Sequence, residues 1–270
     1  MKYNSKKRFI ATIEARMTSK RLPGKVLMSL SNSKKKSNFK VLEVLIKRIK
    51  KSKYINDIII ATTHNSSDEP IVKLAKKLNV NFFRGSEKNV LGRLYKAIKK
   101  FNHKNIIQLT ADNPLIDYKV IDYMAKFYLS NYPNYDFITN NNLFQKKIEK
   151  FPDGMTVSIF KKKSFEKVYL KANKKIFKEH PSLFFYTEGK KKFKIKNVAI
   201  PHKWKNNLNL RLTLDTKKDY ILLKKIFNNL NKKKYFGLSE IINFIKKNKK
   251  LLLINNKIQQ KIPNNILEKN

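Results

Sequence analysis

Residues 9–25 read FIATIEARMTSKRLPGK, a short apolar run followed by a basic loop. The run at 9–13 is continuous and rich in β-branched residues, which is typical of a strand buried on both faces of a parallel sheet. The basic loop would then follow the carboxyl end of a strand, where ligands bind in open α/β sheets. This stretch therefore predicts an α/β protein with a ligand site beside its first strand.

The sequence downstream repeats this alternation of strand and helix. Short apolar runs at 58–61, 80–83 and 105–110 alternate with stretches in which apolar residues recur at helical spacing. Such βα units with short connections predict a mainly parallel, doubly wound sheet. Right-handed crossovers would place the loops that follow the strands along one shared rim.

The pattern becomes less regular between about residues 131 and 201, which we interpret as a flap inserted into the sheet for substrate or dimer contacts. Its candidate strands lie at 136–138, 155–160 and 193–200. The α/β pattern resumes with a predicted strand at 208–214. We expect a single domain over 1–253 and a loosely ordered basic tail over 254–270.

The composition is strongly basic, with 62 Lys and Arg against 19 Asp and Glu and a formal net charge of +43. Such a charge raises the alternative of a nucleic-acid-binding protein. Lysine is spread along the whole chain, however, and no basic stripe with interleaved aromatic residues accompanies it. We therefore favour a compositional bias and expect no specific nucleic-acid partner. Cysteine is absent, which excludes disulfides, thiolate catalysis and cysteine-ligated zinc.

The amino terminus is polar and basic, and the apolar run after it is too short for the core of a signal peptide. No stretch approaches the roughly 20 apolar residues of a membrane-spanning helix. We expect a cytoplasmic protein with no membrane partner.

The basic loop contains residue types that bind phosphates. Its cations and hydroxyl are Arg16, Ser19, Arg21 and Lys25, and Pro23 and Gly24 favour a turn. Backbone amides, a hydroxyl and several cations in one loop can surround a polyphosphate, and arginine binds its oxygens bidentately. The spacing differs from that of a Walker A loop. From spacing alone, an ordinary cationic surface loop is an equal alternative.

Two acidic residues directly follow apolar runs, Asp112 in LTADNPLID and Asp215 in LRLTLDT. If both runs are neighbouring strands, the two carboxylates project from the same rim as the basic loop. Two carboxylates beside a phosphate site suit Mg²⁺, which prefers oxygen ligands and shares them with substrate phosphates. Taken singly, Asp112 could merely begin a turn and Asp215 could merely precede a helix.

Several segments together resemble a known family. They are ARMTSKRLPGKVL, FFRGSEKNVLGRLYKA, QLTADNPLID, FPDGMTVSIF and RLTLDTKKDYILL, in that order. They are similar to the cytidylyltransferases that include CMP-sialic acid synthetases and Kdo cytidylyltransferases, and most similar to the SpsF-type spore-coat-polysaccharide branch. The resemblance runs from about residue 9 to residue 227.

The resemblance implies a Rossmann-like nucleotidyltransferase fold, a homodimer, and a reaction that joins CTP to the anomeric hydroxyl of a sugar acid with release of pyrophosphate. It assigns CTP binding to Arg16, Ser19, Arg21 and Lys25, and less securely to Arg93. It assigns Mg²⁺ to Asp112 and Asp215, which with Arg16 and Lys25 would carry catalysis. It places Asp153 and His180 in the sugar site.

We therefore expect a Mg²⁺-dependent cytidylyltransferase that activates a nonulosonic or Kdo-like acid for surface polysaccharide synthesis. One alternative is a nucleotidyltransferase that acts on a sugar phosphate or an amino sugar. Others are a homologue that has lost catalysis and the nucleic-acid-binding protein considered above.

Overall fold

The computed structural model describes residues 9–32, 39–101, 103–141, 151–205, 208–231 and 235–259 of the 270-residue chain. Its strands form a seven-stranded sheet in the order β3-β2-β1-β4-β6-β5-β7. They are β1 (Phe9–Glu14), β2 (Ile55–Thr63), β3 (Asn81–Gly85), β4 (Asn105–Thr110), β5 (Phe137–Thr139), β6 (Ser158–Lys161) and β7 (Ile195–Asn197). All neighbouring strands are parallel except β6, which is antiparallel to both β4 and β5.

Helices cover both faces of the sheet. They are α1 (Val41–Ile49), α2 (Glu69–Lys77), α3 (Val90–Lys99), α4 (Tyr118–Ser130), α5 (Lys162–Lys171), α6 (Lys175–Glu179), α7 (Leu183–Tyr186), α8 (Lys217–Leu230) and α9 (Leu238–Lys247). Asp117 caps α4 by accepting a hydrogen bond from the Lys119 amide, and Thr216 and Asp219 form a capping box at α8. This mainly parallel, doubly wound α/β architecture confirms the predicted fold class.

The sheet separates two hydrophobic cores, and strand β1 contributes side chains to both. Phe9, Ala11 and Ile13 face the core that contains α1, α4, α8 and α9. Ile10 faces the other core, together with the apolar side of α3 and the aromatic residues of α5, α6 and α7. Because side chains alternate along a strand, Thr12 and Glu14 share the face of Ile10. Residues at the end of β1 can therefore reach both sides of the sheet.

The predicted flap contributes directly to the sheet. It supplies β5, β6 and β7, and β6 lies between β4 and β5. Its helices α5, α6 and α7 carry phenylalanines that are buried in the second core, among them Phe165, Phe177, Phe184 and Phe185. This segment is therefore part of the hydrophobic core, although residues 142–150 lie outside the described part.

The predicted strand at 208–214 is wrong. This segment is extended, but it forms only an isolated bridge between Asp153 and Arg211. Its backbone makes single hydrogen bonds in place of a regular strand ladder. The Leu212 amide donates to the Asp153 carbonyl, and the Leu214 amide donates to the Asp112 carbonyl. The segment therefore lies against the residues around Asp153 and Asp112 and does not pair as a strand of the sheet.

The predicted tail, residues 254–270, is described only from 254 to 259. A short 3-10 helix spans Lys249–Ile254, and the next residue, Asn255, is buried. Residues 260–270 lie outside the described residues. Within the described ranges, no helix has the length and apolar character needed to cross a membrane.

Candidate active site

The basic loop turns sharply at Gly24, which has a left-handed φ of 69° and precedes a short 3-10 helix at Lys25–Leu27. The Gly24 amide donates to the Met17 carbonyl at 2.8 Å, which closes the loop on itself. This turn directs Lys25 inward, and only 9% of its surface is exposed. A lysine is rarely buried unless its charge is paired.

The ammonium of Lys25 joins the two acids that the sequence singled out. Its Nζ lies 3.2 Å from Oδ2 of Asp112 and 3.1 Å from Oδ1 of Asp215, and it donates to the Leu214 carbonyl at 2.6 Å. These acceptors use the three N–H donors of the ammonium. Lys25, Asp112 and Asp215 thus form one compact charged cluster at the rim where β1 and β4 end.

The two acids meet through backbone contact. The Leu214 amide donates to the Asp112 carbonyl at 2.7 Å, which brings residue 215 beside residue 112 without strand pairing. The Thr110 hydroxyl donates to Oδ1 of Asp112 at 2.6 Å and leaves Oδ2 toward Lys25. The two carboxylates therefore project from the same rim, although the segment 208–214 is not the neighbouring sheet strand on which this expectation depended.

Asp215 is buried among cations. Its Oδ1 contacts Arg21 at 2.8 Å, and its Oδ2 accepts from Arg211 at 2.7 Å. Desolvation by itself would raise the pKa of Asp215, but the charge and hydrogen bond of Lys25 and the charges of Arg21 and Arg211 lower it. Asp215 is therefore held in its ionised form.

Arg211 organises the acidic side of this cluster and was missed by sequence reasoning. It is buried, and its Nε donates to Oδ1 of Asp219 at 3.0 Å while its Nη2 holds Asp215. Asn255 donates to the same Asp219 oxygen at 2.9 Å and to the Arg211 carbonyl at 3.2 Å. The sequence does offer one signal for Arg211, because it is the single charged residue inside the otherwise largely apolar segment 208–214.

Asp153 extends the cluster toward the predicted sugar site. Its Oδ2 lies 3.6 Å from Nη1 of Arg211, while about half of its side chain remains exposed. Desolvation raises the pKa of Asp153, and the negative charges of Asp215 and Asp219 raise it further. The charge of Arg211 lowers the same pKa but does not cancel the rise. The structure thus connects Asp153 to Asp215 through one shared arginine.

Gly154 lets the backbone after Asp153 lie close to Leu212. Its φ is +92°, and a Cβ at this position would lie 2.5 Å from the Leu212 carbonyl carbon. We expect Gly154→Ala to lower the free energy of unfolding by about 2 kcal/mol or more, since it adds a backbone clash to left-handed strain. Gly24→Ala is the matched control: its φ is +69°, but the nearest atom is the Met17 Cε at 3.4 Å. Urea unfolding should show a clearly smaller loss for Gly24→Ala, and equal losses would contradict the clash.

A second polar cluster surrounds Arg16. Its Nη1 lies 3.4 Å from Oε1 of Glu87, which also accepts from the Thr18 hydroxyl, and Asn65 donates to Oε2 of Glu87 at 2.7 Å. The hydrogen bonds from Thr18 and Asn65 lower the pKa of Glu87, and the charge of Arg16 contributes. Arg16 therefore lies apart from the Lys25 cluster in this structure.

Buried Asp68 holds the beginning of the basic loop. Its Oδ1 accepts from the Met17 amide at 2.7 Å, and its Oδ2 accepts from Thr62 and Thr63 at the end of β2. The carboxylate thereby joins the loop to the neighbouring strand. Sequence reasoning did not single out Asp68, because the loop residue that it holds, Met17, lies 51 positions away in the chain.

Arg93 is buried at the start of α3 and donates to the Ser86 carbonyl. Its charge acts on Glu14, the last residue of β1. Burial raises the pKa of Glu14 to about 7, opposed by a 2.5 Å hydrogen bond from Gln108 and by the charge of Arg93. Gln108 in turn accepts from the Ser182 hydroxyl at 2.8 Å.

The remaining predicted residues lie near these clusters but make no polar contact with the acidic pair among the contacts described. The Ser19 hydroxyl accepts from the Leu22 amide at 3.4 Å, within its own loop. His180 is exposed just before α7. Desolvation of its ring lowers the pKa of His180, Glu179 opposes this and Arg16 reinforces it. The charge of Arg16 thus acts on the His180 ring.

The donor set fits a magnesium ion that is shared with a substrate. Within the described ranges, no group of three or more His, Cys, Asp or Glu residues is arranged to hold a metal. Asp112 and Asp215 do present carboxylate oxygens to one common cation, the Lys25 ammonium. Mg²⁺ is commonly bound through one or two carboxylates, with phosphate oxygens and water completing its shell.

Comparison with known proteins places this geometry in a family. The family model described as cytidylyltransferase matches residues 10–258. An uncharacterized protein of Methanocaldococcus jannaschii is 36% identical over 257 residues, covering 94% of this chain and 97% of that protein. The spore coat polysaccharide biosynthesis protein SpsF of Bacillus subtilis is 28% identical over 240 residues, covering 87% of this chain and 93% of that protein.

Solved structures agree with this placement. A cytidylyltransferase from Leptospira borgpetersenii has a TM-score of 0.80 at 30% identity, covering 94% of this chain and all of that one. A CMP:2-keto-3-deoxy-manno-octonic acid synthetase in complex with CTP has a TM-score of 0.57 at 13% identity, covering 82% and 98%, and therefore shares the fold. Since the family model spans nearly the whole chain and includes both charged clusters, this protein belongs to the cytidylyltransferase family.

Proposed function

We propose that this protein transfers a cytidylyl group from CTP to a sugar acid, in a Mg²⁺-dependent reaction that yields a CMP-sugar and pyrophosphate. The observation that carries the proposal is the cluster in which Lys25 joins Asp112 and Asp215 while Arg21 contacts Asp215. Cations for a triphosphate and carboxylates for a metal thus lie side by side. Family membership supports CTP as the nucleotide.

The reaction forms a bond between the anomeric oxygen and the α-phosphorus as the bond to the pyrophosphate oxygen breaks. Such transfers depend mainly on positioning and on neutralising charge. Arg21 and Lys25 would contact the triphosphate, and Asp112 and Asp215 would hold Mg²⁺. When bound, this ion supplies charge neutralisation at the phosphate oxygens. The hydroxyl proton leaves to water or to a general base.

The sugar acid would bind beside Asp153 and His180. Asp153 adjoins the acidic pair through Arg211, and His180 lies near Arg16, whose guanidinium can bind a carboxylate. The similarity to SpsF supports a product that serves polysaccharide synthesis. We also propose that the enzyme is a homodimer, as the resemblance to the family implies, and that it acts in the cytoplasm.

Pyrophosphate release by the purified protein tests this proposal. The assay combines Mg²⁺, each of the four ribonucleoside triphosphates, and a panel of nonulosonic acids, Kdo-like acids, sugar phosphates and amino sugars. We expect release that requires both CTP and one sugar acid. Release that requires a sugar phosphate or an amino sugar would replace the proposed acceptor. Release with equal rates for all four nucleotides would contradict cytidylyl transfer.

A further inference from the structure

The fully buried carboxylate of Asp219 holds residue 215 at two points. Its Oδ2 accepts from the Asp215 amide at 3.1 Å, which fixes the main chain there. Its Oδ1 accepts from Nε of Arg211 at 3.0 Å, and Nη2 of Arg211 donates to Oδ2 of Asp215 at 2.7 Å. Asp219 thus orients both the backbone and the carboxylate of Asp215.

These bonds exceed what the start of α8 requires. A capping box needs the Asp219 side chain only at the amide of Thr216, which donates to it at 2.9 Å. The bonds from the Asp215 amide and from Arg211 lie outside this motif. Asp219 therefore serves the neighbouring carboxylate as well as the helix.

Asn255 joins this group from the segment that follows α9. Its Nδ2 donates to Oδ1 of Asp219 at 2.9 Å and to the Arg211 carbonyl at 3.2 Å. A side-chain amide nitrogen has two N–H donors, and these two acceptors use both. Asn255 thereby joins the Asp219 carboxylate to the backbone of Arg211.

Hydrophobicity does not explain the burial of Asn255. Within residues 246–259, all of which the structure describes, Asn255 is the single buried residue, with 2% of its surface exposed. Leu253, two positions earlier, is 69% exposed. Burying an amide costs free energy unless its hydrogen bonds are made, whereas burying a leucine is favourable. The segment therefore packs in the way that brings the Asn255 side chain to Asp219 and Arg211.

We propose that Asn255 is a positioning residue for the carboxylate of Asp215 that would hold Mg²⁺, and that it acts through Asp219 and Arg211. This inference rests on the proposed function and extends the site to the segment after α9. Hydrogen-bond partners behind a metal-binding carboxylate fix its orientation, and their loss typically weakens metal binding roughly 10–100-fold. Since Asp219 keeps its bond from Arg211 when Asn255 is replaced, we expect an effect near the lower limit of this range.

Calorimetric titration of CTP at a series of Mg²⁺ concentrations, and in EDTA, tests this inference without an acceptor. Asn255→Leu keeps the approximate size of the side chain and removes both donors. We expect the Mg²⁺ concentration that gives half of the gain in CTP affinity to rise roughly tenfold, while CTP affinity in EDTA stays within about twofold of the parent value. A purely structural role would not separate these two quantities, because a loosened site would weaken CTP binding in both conditions.

Asn248→Leu is the matched control. Asn248 lies seven residues earlier, is exposed, and donates only to the Phe244 carbonyl within the contacts described. The same substitution there should keep the parental Mg²⁺ requirement and the parental CTP affinity in EDTA.

An unchanged Mg²⁺ requirement in Asn255→Leu with the near-ultraviolet circular dichroism of the parent would overturn this inference and leave the proposed function intact. Equal weakening of CTP binding in Mg²⁺ and in EDTA would also overturn it. If Asn255→Leu does not fold, Asn255→Ala removes the same donors with a smaller side chain and must show the same rise. A parent protein whose CTP affinity does not respond to Mg²⁺ would overturn the proposed function as well.

Discussion

Asp112→Asn is expected to reduce kcat/KM for CTP by roughly 10²–10³-fold while the protein stays folded. The substitution preserves shape but removes one of the two carboxylates that would hold Mg²⁺. The amide retains an oxygen for Lys25, and about a quarter of the Asp112 side chain is exposed, so little buried charge is left unpaired. Steady-state pyrophosphate release and near-ultraviolet circular dichroism would measure the two quantities.

Asp57→Asn is the control for this substitution. Asp57 pairs with His103 at 2.9 Å near the beginning of β2, away from the rim that carries Asp112. Its kcat/KM should stay within about twofold of the parent value, since Asp57 lies away from the proposed metal and nucleotide site. Near-parental activity in Asp112→Asn would exclude Asp112 from the proposed metal site.

Arg211→Met is expected to lower the free energy of unfolding by about 3–5 kcal/mol and to reduce activity as well. The substitution leaves Asp219 with fewer donors and removes the Asp215 contact at 2.7 Å, both in a buried setting. Urea unfolding measures the loss. Lys47→Met breaks the pair between half-exposed Lys47 and Glu43, four residues apart on α1, and should change stability by less than about 1 kcal/mol.

The pH dependence of stability provides a further readout for Arg211→Met. The pKa of Asp215 is lowered in the folded protein, so its ionised form adds stability above the unfolded pKa of about 3.9, and this stability is lost as the pH falls through the folded value. Removing Arg211 removes one of the charges that lower this pKa. The variant should therefore lose less stability than the parent on acidification, and identical acid profiles would contradict the pairing.

The sequence predicted the sheet well where local pattern and burial agree. Residues 9–13 are a mostly apolar run and residues 105–110 carry Ile106, Ile107 and Leu109, and both form central strands with neighbours on each side. Central position explains the agreement, because such strands are apolar on both faces. The capping residues Asp117 and Thr216 were likewise readable, since their bonds reach only a few residues along the chain.

The segment 208–214 shows where local pattern fails. Its alternating apolar residues are typical of a strand, and its side chains are indeed buried. Its backbone, however, bonds singly to Asp153 and Asp112, which are distant in sequence. The pattern predicted burial correctly but could not indicate which partner the backbone would find.

The site was predictable only in part for the same reason. Lys25, Asp112 and Asp215 stand out because each lies beside a turn or directly after an apolar run. Arg211 and Glu14 lie inside apolar or strand-like segments, where a single charge is easily taken for an edge residue. Glu14 interacts with Gln108 and Arg93, which lie far along the chain. Arg211 bonds its near neighbours Asp215 and Asp219, and its contact with distant Asp153 joins them to the rest of the site.

Calorimetric titration of CTP with Mg²⁺ and with EDTA, into the parent protein and into Asp112→Asn, tests the central claim most directly. Without a metal, Lys25 and Arg21 stay paired with Asp112 and Asp215 and are less available to the triphosphate. We therefore expect Mg²⁺ to raise CTP affinity roughly tenfold or more in the parent and to have little effect in Asp112→Asn. Equal affinity in Mg²⁺ and EDTA for the parent protein would contradict a shared metal and nucleotide site at Asp112 and Asp215.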